Sequence, residues 1–363
     1  MTPHAHSAQQ PASLRSPSSV IAHVRNHIGH LTLNRPAGLN ALTLEMVREL
    51  HARLRQWASD PSIRAVVLRG AGDRGFCAGG DVRALYESHQ DGGTLAQTFF
   101  KEEYALDLYL HRYRKPVIAL MDGYTLGGGM GLAQAAELRV VTERSRLAMP
   151  ETAIGYFPDV GASYFLSRVP GELGIYLGLT GVQIGAADAI YCGLADWFLD
   201  SNRLAALDER LDKLMWSAYP LKDLQGVLAR LGVQVLPNPP LDRLRPAIDH
   251  FFGLPDVASM LEQLQQVTVA DSQVWARETA ALMNTRSPLA MSVALRLLRR
   301  GRSLSLDDCF ALELKLDHQW LEHGDLMEGV RALMVDKDKK PRWNPPTLQQ
   351  LDPCKVERFF EGQ

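Results

Sequence analysis

Two glycine clusters constrain this chain more than any other feature. FCAGGD (Phe76–Asp81) and YTLGGGMG (Tyr124–Gly131) each follow a short apolar run, and the second leads directly into the helical stretch LAQAAE. A strand that breaks into glycine and resumes as a helix is the connection used by layered α/β folds. The flanking segments agree with that. IRAVVLRG (Ile63–Gly70), KPVIALMDG (Lys115–Gly123) and LRVVTERSRLAMPE (Leu138–Glu151) read as buried strands, and the amphipathic stretch from Thr43 to Trp57 reads as a helix between them. This alternation runs from Val20 to about Asp200. Beyond it the strand signals fade, and Leu-rich, charge-dotted segments such as LDDCFALELKLDHQWLE show helical spacing. LPNPP (Leu236–Pro240) is a rigid break inside that part, and Pro341, Pro345 and Pro346 make the last segment irregular. The expected organisation is a disordered Ser-, Pro-, Ala- and Gln-rich tail over residues 1–19, an α/β core over 20–200, and a helical region over 201–363.

Composition narrows the partners. Of 363 residues, 46% are hydrophobic and 22% charged, an ordinary globular mixture able to bury a sizeable core. Lys and Arg total 39 against 41 Asp and Glu, a formal net charge of -2, which offers no general field for nucleic acid or an anionic membrane. The longest uncharged stretch, Leu173–Ala187, is short and broken by glycine, so no membrane span is expected. Cys77, Cys192, Cys309 and Cys354 are widely separated and form no C-x-x-C pair, so neither a zinc clasp nor a disulfide framework is indicated. A cytoplasmic location is expected. The mitochondrial matrix is the lesser alternative, because Arg15 is the only basic side chain among the first nineteen residues and a presequence usually carries more arginine.

The glycine turns also bear on chemistry. Taken singly, a glycine cluster is more often a tight strand-to-helix turn than a ligand site. A nucleotide cradle is disfavoured, since neither turn closes on Lys followed by Ser or Thr and neither spells G-x-G-x-x-G. An oxyanion hole is the sharper reading: one N–H from each turn would point at an oxygen that becomes negative during reaction. Fixed donors of this kind are worth on the order of a hundred- to a thousandfold each in rate. A second motif, MPETAIGYFPDVG (Met149–Gly161), sets Glu151 and Asp159 beside prolines with no other charge between them. Spacing alone allows an innocent account, with Glu151 in a first helical turn after Pro150 and Asp159 as the N-cap of the following segment.

Four strings occur in order and resemble the enoyl-CoA hydratase/isomerase, or crotonase, superfamily: LTLNRPAGLNALT (Leu31–Thr43), FCAGGDVRALYE (Phe76–Glu87), DGYTLGGGMGL (Asp122–Leu132) and LTGVQIGAADAIYCGLAD (Leu179–Asp196). Within it, FFKEEYALD, MPETAIGYFPDVGASYFL and the C-terminal EGVRALMVDKDKKPRWNPP resemble the 3-hydroxyisobutyryl-CoA hydrolase branch. The resemblance implies an α/β fold with a crotonase (ClpP/crotonase-like) spiral core of ββα turns, completed by the helical C-terminal region at an acyl-CoA site. It implies that Gly80 and Gly128 donate the oxyanion-hole N–H groups and that Glu151 and Asp159 form the catalytic acid pair. It further implies that Glu103 hydrogen-bonds the 3-hydroxyacyl group, a position that spacing alone would leave on a solvated helix face. Arg83, Leu39 and Ala41 fall in motifs that line the coenzyme A channel, although surface or packing roles fit them nearly as well. Cys77, with no histidine in its motif, is expected to be a packed small side chain.

The implied activity is acyl-CoA thioester hydrolysis, 3-hydroxyisobutyryl-CoA and water giving 3-hydroxyisobutyrate and free CoA, as in valine breakdown. No metal or cofactor is expected, coenzyme A being part of the substrate. The expected partner is the acyl-CoA, with no nucleic acid, no membrane and homo-oligomerisation left open. One rival is an enoyl-CoA hydratase or isomerase. Hydratases of this superfamily use two glutamates, one of them in the helix after the second glycine turn, and the matching position here is Gly131. The other rival is a CoA-ester binding protein without catalysis, which the presence of both acids and both glycine turns disfavours.

Overall fold

The chain enters its main sheet through a tight hairpin. The computed structural model describes residues 18–232, 236–268 and 270–361. Strands β1 (Val20–Arg25) and β2 (Ile28–Leu33) pair antiparallel, Arg25 opposite Ile28. Asn26 and His27 between them both take positive φ (42° and 64°), the backbone hand that matches the twist of a two-residue hairpin. The tail expected over residues 1–19 lies outside the described residues as far as residue 17. Ser18 and Ser19 are tied down, their carbonyls accepting hydrogen bonds from the side chain and main chain of Asn34 at 2.9 and 2.8 Å.

From β2 onward the chain winds between two parallel arrays. β3 (Ala65–Gly70), β5 (Val117–Met121), β7 (Leu138–Val141) and β9 (Trp197–Phe198) join β1 and β2 in a six-stranded sheet of order β1-β2-β3-β5-β7-β9. β4 (Gly75–Cys77), β6 (Tyr124–Leu126) and β8 (Arg146–Ala148) form a second, three-stranded parallel sheet. Three successive turns of chain thus each lay one strand in either sheet. The single strand expected over Leu138–Glu151 is therefore two, β7 and β8. The polar TERS between them makes the corner: Ser145 Oγ accepts from Thr142 N at 2.7 Å and donates to Met121 O at 2.5 Å. Period-two alternation cannot continue through a segment whose polar groups must turn inward to bond the neighbouring strand.

Strands covered on both faces read as unbroken apolar runs, and the alternation sorts them into two cores. Val66, Leu68, Val117, Ala119 and Met121 face the principal core. Ala65, Val67, Ile118, Leu120 and Val140 face a second one, closed by Leu207 and Leu211 of α8 (Leu204–Asp212) and by Leu224, Val227 and Leu228 of α9 (Pro220–Leu231). The helices of the winding part are α1 (Leu44–Ser59), α2 (Val82–Gln90), α3 (Leu95–His111), α4 (Gly128–Gln134), α5 (Ala162–Phe165), α6 (Leu173–Thr180) and α7 (Ala186–Tyr191). The amphipathic helix expected from Thr43 is α1, with the Thr43 hydroxyl accepting from Met46 N as its N-cap. After β9 only helices follow among the described residues: α8, α9, α10 (Pro240–Phe252), α11 (Val257–Gln265), α12 (Ala270–Met283), α13 (Pro288–Gly301), α14 (Leu306–His323), α15 (Leu326–Val330) and α16 (Pro353–Phe360), with a π turn over Arg331–Val335 and a short 3₁₀ turn near the end.

Two of these late helices decide where the loop Gly155–Gly161 sits. α13 packs on α5 and α6, and α14 packs on α3 and α5, so the loop is held between early and late parts of the chain. Trp320 of α14 is the principal contact. Fully buried, it donates from Nε1 to Gly155 O at 2.9 Å and meets Phe157 and Tyr156 edge-on, with Phe359 of α16 on its other side. Truncating a buried Trp leaves a large void and here also strips a buried carbonyl of its donor. Trp320→Ala should therefore lower unfolding free energy by about 3–5 kcal/mol, read from urea denaturation.

Candidate active site

Parallel pairing of β4 with β6, Gly75 opposite Tyr124 and Cys77 opposite Thr125, brings the two glycine turns together. Gly79 (φ 91°) and Gly127 (φ 50°) both lie in the left-handed region, and a Cβ on Gly79 would stand 3.4 Å from Gly128 N. The first turn is fixed from outside by the loop before α1. Ala78 N donates to Leu39 O at 3.0 Å, Leu42 N to Gly79 O at 2.8 Å, and Asp81 N to Leu42 O at 2.8 Å. Buried Asn40 donates to Ala71 O and Gly75 O, and Arg35 bonds both Ala41 O and Asp81. No hydrogen bond within the described residues uses the N–H of Gly80 or of Gly128. Both donors remain available.

Carboxylates crowd the second turn. Glu151 opens a 3₁₀ turn (Glu151–Ile154), and its Oε1 lies 2.8 Å from where a Cβ on Gly127 would be. Glu103, on the buried face of α3, sends Oε1 against Gly128 so closely that a Cβ there would overlap it. One helical turn along α3, Asp107 Oδ2 lies 2.8 Å from a Cβ built on Gly131, with Val160 Cβ at 2.6 Å on the same side. Glycine at 127, 128 and 131 thus makes room for three acids as well as baring amides.

Asp159 is not the N-cap that spacing alone would allow. α5 begins only at Ala162, and the Asp159 side chain turns inward to accept from the Tyr104 hydroxyl at 2.7 Å. The cap comes instead from Glu313 of α14, whose carboxylate accepts from Gly161 N at 2.7 Å, Ser163 N at 2.9 Å and the Ser163 hydroxyl. A side chain 150 residues away in sequence could replace the local cap because α14 packs over the loop. These bonds hold a strained backbone: Val160 has φ 53°, which a β-branched residue adopts only under constraint, and Gly161 has φ 86°.

Six acids are buried here: Glu103, Asp107, Glu151, Asp159, Glu313 and Asp317. No ion pair joins any of them to Lys or Arg among the described residues. Burial is accordingly the first influence on each, and all are pushed upward. Glu103 is held well above the ordinary carboxylate range by burial and then by Asp107, Asp159 and Glu151. Glu151 is held well above it by burial and the charge of Asp159, and Asp107 by burial and the charges of Asp159 and Glu313. Asp159 rises to about 7 through burial, opposed by the Tyr104 bond, and Asp317 to about 7 through burial, opposed by a bond from Tyr156. Burial lifts Glu313 to about 8 in spite of its three donors.

Of the residues singled out in the sequence, the structure brings Gly80, Gly128, Glu151, Asp159 and Glu103 to one place, with Leu39 and Ala41 bordering the first turn. Glu103 is only 2% exposed, so the solvated-face account of it is wrong. Arg83, three residues after Gly80, is exposed on α2 and pairs with Glu87 one turn along at 2.9 Å. Cys77 is fully buried and its thiol is pushed up to about 12, which suits packing and not nucleophilic attack. Sequence reasoning missed Tyr104, Asp107, Tyr156, Glu313 and Asp317. A signal existed. Glu103 and Asp107 fall in the apolar stripe of α3 with Phe99, Leu106 and Leu110, and Glu313 and Asp317 fall in that of α14 with Cys309, Leu316 and Trp320. Acids four apart inside a buried stripe are paired or proton-bearing when the helix packs.

The family described as "Enoyl-CoA hydratase/isomerase" matches residues 28–360 of this chain. The chain belongs to the enoyl-CoA hydratase/isomerase family. Within that family it is 38% identical over 353 residues to the mitochondrial 3-hydroxyisobutyryl-CoA hydrolase of Rattus norvegicus, covering 95% of this chain and 89% of that protein. To the Homo sapiens protein of the same name it is 37% identical over 338 residues, covering 92% and 86%. Two solved crotonase-fold structures superpose closely. One, described as a carnitinyl-CoA dehydratase from Mycobacterium thermoresistibile, has a TM-score of 0.86 at 38% identity over 96% of this chain and 100% of that one. The other, described as an enoyl-CoA hydratase from Rhodobacter sphaeroides, has a TM-score of 0.86 at 35% identity over 95% and 97%. The crotonase fold expected from the motifs is the fold observed.

Raised carboxyl groups make a family member of this kind sensitive to alkali. Where a folded-state pKa exceeds the unfolded value of about 4, the native state binds more protons than the unfolded one, so stability falls as pH rises between the two values. With Asp159 and Asp317 near 7 and Glu313 near 8 in the fold, unfolding free energy should decline steadily from pH about 5 to about 8. Urea midpoints measured across that range check this, and a midpoint that climbs with pH contradicts the assignment of these groups as proton-bearing.

Proposed function

We propose that this chain is an acyl-CoA thioester hydrolase acting on 3-hydroxyisobutyryl-CoA, releasing 3-hydroxyisobutyrate and free CoA, as in valine breakdown. The observation that carries the proposal is the seating of the Glu151 carboxylate against Gly127, next to the uncommitted N–H of Gly128 and within the field of Asp159. The names of the curated relatives support the same substrate. In this reading the N–H groups of Gly80 and Gly128 hold the thioester oxygen and take up its negative charge as the carbonyl carbon becomes tetrahedral. The helical C-terminal region completes the site through α14, which seats the Asp159 loop.

Glu151 serves in one of two ways. It removes a proton from water, the resulting hydroxide bonds to the acyl carbon, the C–S bond breaks, and the proton passes to the departing thiolate. Alternatively its own oxygen attacks the acyl carbon, thiolate leaves, and water opens the mixed anhydride. Burial and the charge of Asp159 raise its proton affinity, which makes the ionised form a stronger base near neutrality. Asp159 places the water or the substrate hydroxyl, and Glu103, carrying its proton, has a hydrogen to donate to the 3-hydroxyacyl group. Leu39 and Ala41 border the channel for coenzyme A in this reading, with Arg83 near its mouth on α2. The reading needs no metal or redox cofactor. The relatives' names carry the word mitochondrial, which favours the matrix over the cytoplasm for a eukaryotic chain; no described helix is long and apolar enough to cross a membrane.

The descriptions of the two solved structures favour a second reading, addition of water to an enoyl-CoA. Gly131 opposes it. The position of the second hydratase glutamate has no side chain, and Asp107 and Val160 occupy the space where one would begin. One set of assays separates the readings. Glu151→Gln and Asp159→Asn should each fold normally and lose roughly three orders of magnitude or more in kcat for CoA release from 3-hydroxyisobutyryl-CoA, the scale seen when groups of a catalytic unit are removed. Full turnover in Glu151→Gln, or hydration of crotonyl-CoA faster than thioester cleavage by the native chain, would sink the proposal. Label found in Glu151 after a single turnover in heavy-oxygen water establishes the anhydride route, since direct attack by water on the acyl carbon leaves Glu151 unlabelled.

A further inference from the structure

A line of four side chains leads away from Asp159. The Tyr104 hydroxyl donates to Asp159 Oδ2 at 2.7 Å, Tyr104 and Tyr156 hydroxyls lie 3.3 Å apart, and Tyr156 contacts Asp317 Oδ1 at 3.0 Å. All four residues are buried, none more than 4% exposed. They come from three separate places: α3, the loop after the 3₁₀ turn, and α14. Asp317 Oδ2 has no hydrogen-bond partner.

The hydrogens can be counted. Three oxygen–oxygen contacts need three hydrogens, and two tyrosines supply only two. With both carboxylates ionised, each tyrosine donates to its nearest acid, and the 3.3 Å contact sets lone pair against lone pair. With both protonated there is one hydrogen too many. A single added proton fills every contact. It can reside at either end: Asp317–H donates to Tyr156, Tyr156 to Tyr104 and Tyr104 to ionised Asp159, or the order runs in reverse from Asp159–H to ionised Asp317. Passing between these arrangements shifts one hydrogen across each contact, leaves one on each tyrosine, and moves one net proton from one carboxyl to the other.

We propose that Asp317 is a positioning residue for Asp159: the two carboxyl groups hold one proton in common, handed between them through Tyr156 and Tyr104. The surroundings favour one proton over none. Glu103 and Asp107 on α3, Glu151 on the 3₁₀ turn and Glu313 on α14 are the ionisable side chains facing the line, and all are acids. Both ends are lifted by burial, each to about 7, so the fold favours a proton at either one. The line lets Asp159 gain or give up a proton as Glu151 changes charge beside it, with no water admitted to the site. This consequence for turnover rests on the role proposed for Asp159, but the shared proton does not.

Infrared spectroscopy tests the proton directly, because a protonated carboxyl and a carboxylate have separate carbonyl stretches. The spectrum of the native chain at neutral pH minus that of Asp159→Asn/Asp317→Asn should show one protonated carboxyl. A difference of two, or none, overturns the proposal, whether or not the chain hydrolyses any thioester. Kinetics tests the positioning. Asp317→Asn should move the limb of the kcat–pH profile governed by Asp159 toward acid by about one unit, the scale of coupling between linked groups, with KM changed less than about twofold. Adding Tyr156→Phe should produce no further shift, since both changes cut one line. Tyr156→Phe alone should shift the limb the same way, because Tyr104 then donates only to ionised Asp159. It serves as the kinetic test should the Asn variants fold poorly. An unchanged profile in a folded variant removes Asp317 from any role at Asp159.

Discussion

The rest of the structure depends on burying several carboxyl groups together without a cation. Packing α14 onto α3 across the loop that carries Asp159 takes six acids out of water. An ionised carboxylate in such a place costs several kcal/mol unless donors or a proton attend it. The fold answers group by group. Glu313 receives two backbone N–H groups and a hydroxyl, Asp159 and Asp317 each share a hydrogen bond with a tyrosine hydroxyl, and Glu103, Asp107 and Glu151 keep oxygens without any partner. The last three are the ones that lean on the glycine turn. Most of the unmet hydrogen-bonding capacity of the six thus lies against that turn, with Asp317 Oδ2 the exception behind it.

That arrangement changes what the glycines are for. In the winding part of the chain they appear as turn-makers that expose amides, and Gly79 and Gly127 do adopt backbone angles that other residues avoid. Gly128 and Gly131 take no unusual angle. They are small because Glu103 and Asp107 come down onto them from α3. A methyl group at either place would force the acids away from the amides and separate the two halves of the site.

Much of the fold was legible in the sequence for ordinary reasons. Parallel strands covered on both sides read as Val- and Ile-rich runs, α1 announces itself by its amphipathic spacing and Thr43, and the late helices by their Leu-rich periodicity. The reading failed at Leu138–Glu151, where a buried corner looked like a continuing strand because its Ser and Thr bond inward to Met121 and Asp122. At Asp159 spacing alone also allowed a local N-cap, a role that a distant glutamate holds in the structure. Glu103, Glu151 and Asp159 were singled out chiefly through resemblance. Their neighbours in the site were not, since an acid on a helix looks solvated until its packing partner is known.

Sequence by itself determined the local rules: which segments become strands or helices, where glycine lets two turns approach, and which family the chain belongs to. These depend on side-chain periodicity and backbone freedom, both of which act within a few residues. Tertiary structure alone decided which acids meet and how each is pushed toward holding a proton. Glu103, Glu151, Asp159 and Asp317 span more than two hundred positions, and their ionisation is set by burial and by one another's charge, quantities that do not exist until α14 has closed over α3.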